Sequence, residues 1–79
     1  MNLLQSKNSY TETYSSTDKV EIYSTIEKGV KEIIWTAINK KDGEIFYSDY
    51  DYYDLLDYLL MTKSIRRSEY VRLYNLWKI

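Results

Sequence analysis

The stretch KVEIYSTIEKGVKEIIWTAINKKDGEIFY, residues 19–47, decides the fold. Its opening alternates with a period of two. Val20, Ile22 and Ile26 fall on one side of an extended chain, and Glu21, Tyr23 and Thr25 on the other. That pattern predicts a half-buried strand over 19–26. Glu27-Lys28-Gly29 then reads as a tight turn, because a glycine takes positive φ without a Cβ clash. Val30 to Ile38 reads as a second strand. Ile33, Ile34, Trp35, Ala37 and Ile38 place apolar groups on both of its faces, as expected of a strand in the middle of a sheet or covered twice. Asn39-Lys40-Lys41-Asp42-Gly43 is a hairpin signal, and Glu44 to Tyr47 is the third strand.

Downstream the period changes to that of a helix. Ser48 is expected to open it, with Asp51 three residues on in a capping-box arrangement. Asp49, Asp51 and Asp54 suit the positive end of the helix dipole. Tyr52, Leu55, Leu56, Leu59 and Leu60 make one apolar stripe, with Asp51, Asp54, Asp57 and Tyr58 on the other side. Thr62-Lys63-Ser64 interrupts the pattern. A basic helix from Arg66 to Lys78 follows, its apolar face built from Tyr70, Leu73, Tyr74 and Trp77 and flanked by Val71 and Leu76. Upstream, residues 1–18 read as a polar N-terminal arm or an edge strand, with Leu3-Leu4 as an apolar anchor. The expected fold class is therefore α+β: a three-stranded antiparallel β-meander followed by two α-helices packed on one face, with residues 19–79 as a single domain.

Composition narrows the function classes. The chain has 79 residues, no Cys and no His. A disulfide framework and thiolate or imidazole metal sites are excluded, as are the commonest general base and the thiol nucleophile. A chain this short buries a modest core, which makes self-association a further source of buried area. The formal net charge of −1 argues against a strongly cationic nucleic-acid binder. No segment has the run of about 18 apolar residues that a membrane helix needs, and the N-terminus lacks a signal-peptide pattern. A cytoplasmic protein with no cofactor and no metal is the expectation. Gly29 and Gly43 are the only glycines, and both are explained as turns rather than a phosphate loop.

The distinctive feature is Ser48-Asp49-Tyr50-Asp51-Tyr52-Tyr53-Asp54. Five of the ten tyrosines lie between Tyr47 and Tyr58. Core packing accounts for Tyr52, but Tyr50, Tyr53 and Tyr58 cannot share one face of a helix. Tyrosine is a low-entropy amphipathic contact residue favoured at interfaces. Tyr50, Asp51, Tyr53, Asp54, Asp57 and Tyr58 are thus the expected partner-binding set. Carboxylates one helical turn apart lie about 5–6 Å from each other. Together with Asp42 and Glu44, such a row imitates the charge repeat of a nucleic-acid backbone and suits the basic groove of a nucleic-acid-processing enzyme.

In size, acidity and tyrosine content the chain resembles small phage and mobile-element inhibitors of host nucleases, although strong DNA mimics carry far more negative charge. That resemblance implies a non-enzymatic inhibitor or modulator of a host defence or nucleic-acid-processing protein. The first alternative is a small nucleic-acid-binding regulator, with Arg66, Arg67 and Arg72 contacting phosphates. The second is a self-assembling or small-ligand-sequestering homo-oligomer, in which the acidic and basic helices meet between subunits.

Overall fold

The structure, a computed structural model, describes residues 9–77, the side chain of Trp77 excepted. The Leu3-Leu4 anchor, the place of Trp77 in the apolar face and Lys78 lie outside the described residues. Six elements follow one another: β1 (Ser9–Ser16), β2 (Val20–Glu27), β3 (Ile33–Asn39), β4 (Ile45–Asp49), α1 (Tyr52–Met61) and α2 (Arg67–Trp77). The strands form one antiparallel sheet in the order β1-β2-β3-β4, and the helices pack against it.

The α+β expectation holds, with four strands in place of three. Of the two readings of the polar N-terminal segment, residues 9–16 adopt the edge strand. Thr and Tyr favour a pleated surface, and β1 needs few apolar groups because only one of its long sides is paired. Its hydroxyls pair across the sheet instead: Thr11 Oγ1 and Thr25 Oγ1 are 2.9 Å apart. Between β3 and β4, on the same face, Ser48 Oγ donates to Thr36 Oγ1 at 3.2 Å.

Both edges carry a bulge. The register of β1 against β2 shifts between Thr13 and Ser15. In β4, Ile45 opposes Ile38 while Tyr47 opposes Ala37, so Phe46 is the extra residue. Bulges twist an edge and break the regular row of backbone groups that invites another strand.

β2 places Val20, Ile22 and Ser24 on the helix side, as its alternation predicts. Ile26 shares that parity but is 50% exposed, because it lies beyond the helices' reach near the end of the strand. β3 is interior and places Trp35 and Ala37 in the core. It begins at Ile33, three residues later than the pattern implied: Gly29, at φ +85°, turns the chain, and Val30 N donates to Glu27 O at 3.1 Å. Gly43, at φ +77°, makes the second hairpin turn.

Ser48 does not open the helix. Ser48 and Asp49 pair with Thr36 and Trp35 in β4, and Asp51 is the N-cap of α1. Its Oδ1 accepts from Tyr53 N at 2.9 Å and Asp54 N at 3.2 Å. An ionised carboxylate at this position satisfies two otherwise orphaned donors and complements the dipole. At the other end Lys63 N donates to Leu60 O and Ser64 N to Leu59 O, the paired bonds of a Schellman motif. Lys63 occupies the left-handed position of that motif, at φ 62°, where a glycine is usual.

Tyr52 joins the layers. Only 2% exposed, it packs against Trp35 of β3 at 4.7 Å and Tyr14 of β1 at 5.5 Å between ring centroids. Its hydroxyl donates to Leu73 O of α2 at 2.7 Å. Burial pushes this phenol up to about 12. Within α2, Leu73 is fully buried and Tyr70 half-buried, while Val71, Tyr74 and Leu76 are exposed. Among its described side chains, α2 is anchored by Leu73 and Tyr70. Its start is held by Glu69, whose Oε1 accepts from Arg66 N at 2.9 Å in half of a capping box.

Tyr52→Phe is expected to lower stability by about 1 kcal/mol and to speed amide exchange in α2 before the sheet, as seen by hydrogen-exchange NMR. Because the folded phenol ionises only near 12 and an unfolded one near 10, its contribution is complete below pH ~10 and is lost as pH rises towards 12. The alkaline fall in melting temperature should be shallower in Tyr52→Phe. Lys63→Gly removes a strained left-handed residue and should raise stability by up to about 1 kcal/mol in urea unfolding.

Candidate functional site

The β4–α1 corner brings the Asp/Tyr run to the surface. β4 ends at Asp49, two residues turn the chain, and Tyr52 starts α1 with its own side chain in the core. That anchor fixes the helix rotation, so Asp54, Asp57 and Met61 face solvent, Met61 being 73% exposed. Tyr53 and Tyr58 flank them, both half-buried.

The partner set proposed from the sequence is thereby sorted. Tyr50 is exposed at 56% and lines an open cleft of about 480 Å³. Asp51 and Tyr53 share that cleft with Ile33, Trp35 and Lys31. Tyr53 also lies against Tyr74 of α2, at 4.5 Å. Tyr58 turns the other way and stacks on Tyr47 of β4 at 4.1 Å and 14°. Asp57 accepts a 2.6 Å hydrogen bond from the Tyr70 hydroxyl, which pushes that phenol up to about 12. Asp51 is committed to capping. Asp54 alone of the three helix carboxylates has neither a hydrogen bond nor an ion pair through its side chain among the described residues.

Asp54 is also electrostatically strained. Its pKa is raised, first by the charge of Asp51, then by slight desolvation, then by Asp49 and Asp57. Among the described residues no basic side chain makes an ion pair with any of these four acids; the ion pairs present are Arg66–Asp18 and Arg66–Glu69. Nor do the acids converge on a point: the described residues contain no group of three His, Cys, Asp or Glu able to hold a metal ion. The carboxylates are spread over a surface, a geometry suited to an extended cationic partner.

Lys31 borders the same cleft as Asp49 and Asp51 without pairing with either, and three other cations lie elsewhere. Arg72 Nη2 donates to Ser16 O at 3.0 Å, and Lys40 Nζ to Thr17 O at 3.0 Å. Arg66 reaches Asp18 at 3.4 Å and Glu69 at 3.2 Å. These groups border a polar cleft of about 560 Å³ between the β1–β2 turn and the start of α2. They clamp that turn with hydrogen bonds that a phosphate would have to displace. Arg67, exposed, is not part of that cleft. Lys40 and the role of the turn carbonyls were not foreseen from the sequence; 23 residues separate Lys40 from Thr17, with no local signal linking them.

No helix of the described residues is long and apolar enough to cross a membrane. Comparisons with protein-family models, curated proteins and solved structures find no match to this chain.

Asp51→Ala should destabilise the protein by about 1 kcal/mol through loss of the cap, whereas Asp54→Asn should raise the melting temperature at neutral pH. The sign follows from the raised pKa of Asp54: the folded state holds that proton more tightly than the unfolded chain. The ionised carboxylate therefore costs stability above the carboxylate range, and the cost disappears as pH falls through it. The gain from Asp54→Asn should shrink likewise in acid and in added salt.

Proposed function

We propose that this protein is a non-enzymatic binding module that docks a cationic surface of a host protein on the outer side of α1, and so inhibits or modulates that protein as a phage or mobile-element product would. The observation that carries the reading is the uncompensated carboxylate row Asp49, Asp51, Asp54 and Asp57, in which repulsion raises the pKa of Asp54. Repulsion of this kind lowers the stability of the free protein and is relieved when positive charge arrives, so the arrangement favours association over the isolated state. The tyrosines beside it supply the amphipathic contact area from which interfaces draw much of their energy. The absence of His and Cys from the chain suits binding better than catalysis. A basic nucleic-acid groove on a defence or nucleic-acid-processing protein is the surface that fits such a row.

Capture experiments against host proteins, identified by mass spectrometry, should compare the wild type with Asp54→Lys/Asp57→Lys, leaving the Asp51 cap intact. The same partner should be retained by the wild type at low salt, released as salt rises, and lost to the double variant, with circular dichroism confirming that the variant is folded. Equal capture by both proteins would remove the acidic surface as the docking site.

A further inference from the structure

Tyr53, Tyr74 and Tyr70 form a run of rings along the outer junction of the two helices, with centroids 4.5 Å apart for the first pair and 5.8 Å for the second. The junction is open: Tyr74 is 40% and Val71 51% exposed, and Tyr70, Val71, Tyr74 and Asn75 border a cleft of about 330 Å³. Tyr53 lines the larger cleft at the start of α1 and Tyr74 this one, so the two openings meet at the contact between these two rings. Asp57 sits on the border, bonded to Tyr70, and Asp54 lies one step further round α1.

We infer that this aromatic junction and the adjoining α1 carboxylates together receive an arginine-rich polypeptide segment, an inference that rests on the function proposed above and gives its partner a chemistry. A tyrosine face attracts a cation, and a carboxylate beside it accepts the cation's hydrogen bonds. Guanidinium satisfies both demands at once, because it is planar, weakly hydrated and donates in a fork. Ammonium is a strongly hydrated point charge and gains less from the ring. An apolar partner would strip water from Asp57 and Asp54 without pairing them. A nucleic acid would bring phosphates against the same carboxylates, and in a second copy of the chain Lys40, Arg66 and Arg72 are already engaged at its own β1–β2 turn.

Titration calorimetry with nona-arginine and nona-lysine at physiological salt tests this on the intact protein. Nona-arginine is expected to bind about tenfold more tightly than nona-lysine, as stacking on more than one ring would give. Tyr74→Leu, which keeps the bulk but removes the ring, should bring that ratio close to one, and Tyr74→Phe should preserve it. Asp54→Asn/Asp57→Asn should weaken both peptides alike. In the wild type, the ring protons of Tyr53 and Tyr74 should shift with nona-arginine and far less with nona-lysine, a readout that needs no variant. Equal affinity for the two peptides, a ratio untouched by Tyr74→Leu, or no binding of either overturns the inference. The proposed function itself stands or falls separately, on partner capture by the charge-reversed protein.

Discussion

The packing of Tyr52 is the constraint on which the rest of the molecule depends. Its ring meets β1 through Tyr14 and β3 through Trp35, and its hydroxyl holds α2 through the Leu73 carbonyl. One side chain thus touches the first strand, a central strand and the last helix while being the first residue of α1. In a chain of 79 residues without disulfides or histidine-bound metal, such a shared contact does work that a larger protein distributes over a deep core. It also sets the rotation of α1. With Tyr52, Leu55, Leu56 and Leu59 turned inward, the acids between them have nowhere to go but solvent.

The acidic helix is consequently two things at once. Asp51 is a structural element, because α1 has no other cap, and Asp57 fastens Tyr70. Asp54 makes no such bond and lies in the field of its neighbours. Three cationic residues, Lys40, Arg66 and Arg72, are engaged at the β1–β2 turn on another part of the surface. Charge segregation therefore follows from two local needs, a capped helix and a clamped turn. Any use of the acidic side by a partner is built on a scaffold that already requires part of it.

The meander and the two helices were legible in the sequence because β2 alternates cleanly and α1 keeps its stripe at i, i+3, i+4 and i+7. β1 was legible only as one of two options, since hydroxyls paired across a sheet leave no apolar alternation to read. Ser48 was misread as the cap because it fits the capping-box spelling, yet the hydrogen bonds of β3 extend β4 two residues beyond Tyr47 and hand the cap to Asp51. Of the six residues expected to meet a partner, Tyr50, Asp51, Asp54 and Asp57 are exposed and Tyr53 and Tyr58 are half-buried. That Tyr53 and Tyr58 would face different ways followed from their spacing, but which rings they would meet did not, because those contacts depend on where α2 and β4 lie against α1.

The bulges at both sheet edges have a consequence for how recognition by this molecule can change over time. With regular backbone pairing discouraged at Thr13–Ser15 and at Phe46, attachment by adding a strand is disfavoured. In the function proposed above, contact runs instead through side chains on the helical side. A mode of attachment written in side chains can drift one residue at a time, without a coordinated change in strand length or phase. Exposed positions such as Tyr50, Asp54, Met61, Val71 and Tyr74 are then free to vary while Tyr52 and the strands beneath them stay as they are. If the proposed function holds, such a scaffold would let a small chain follow a changing partner.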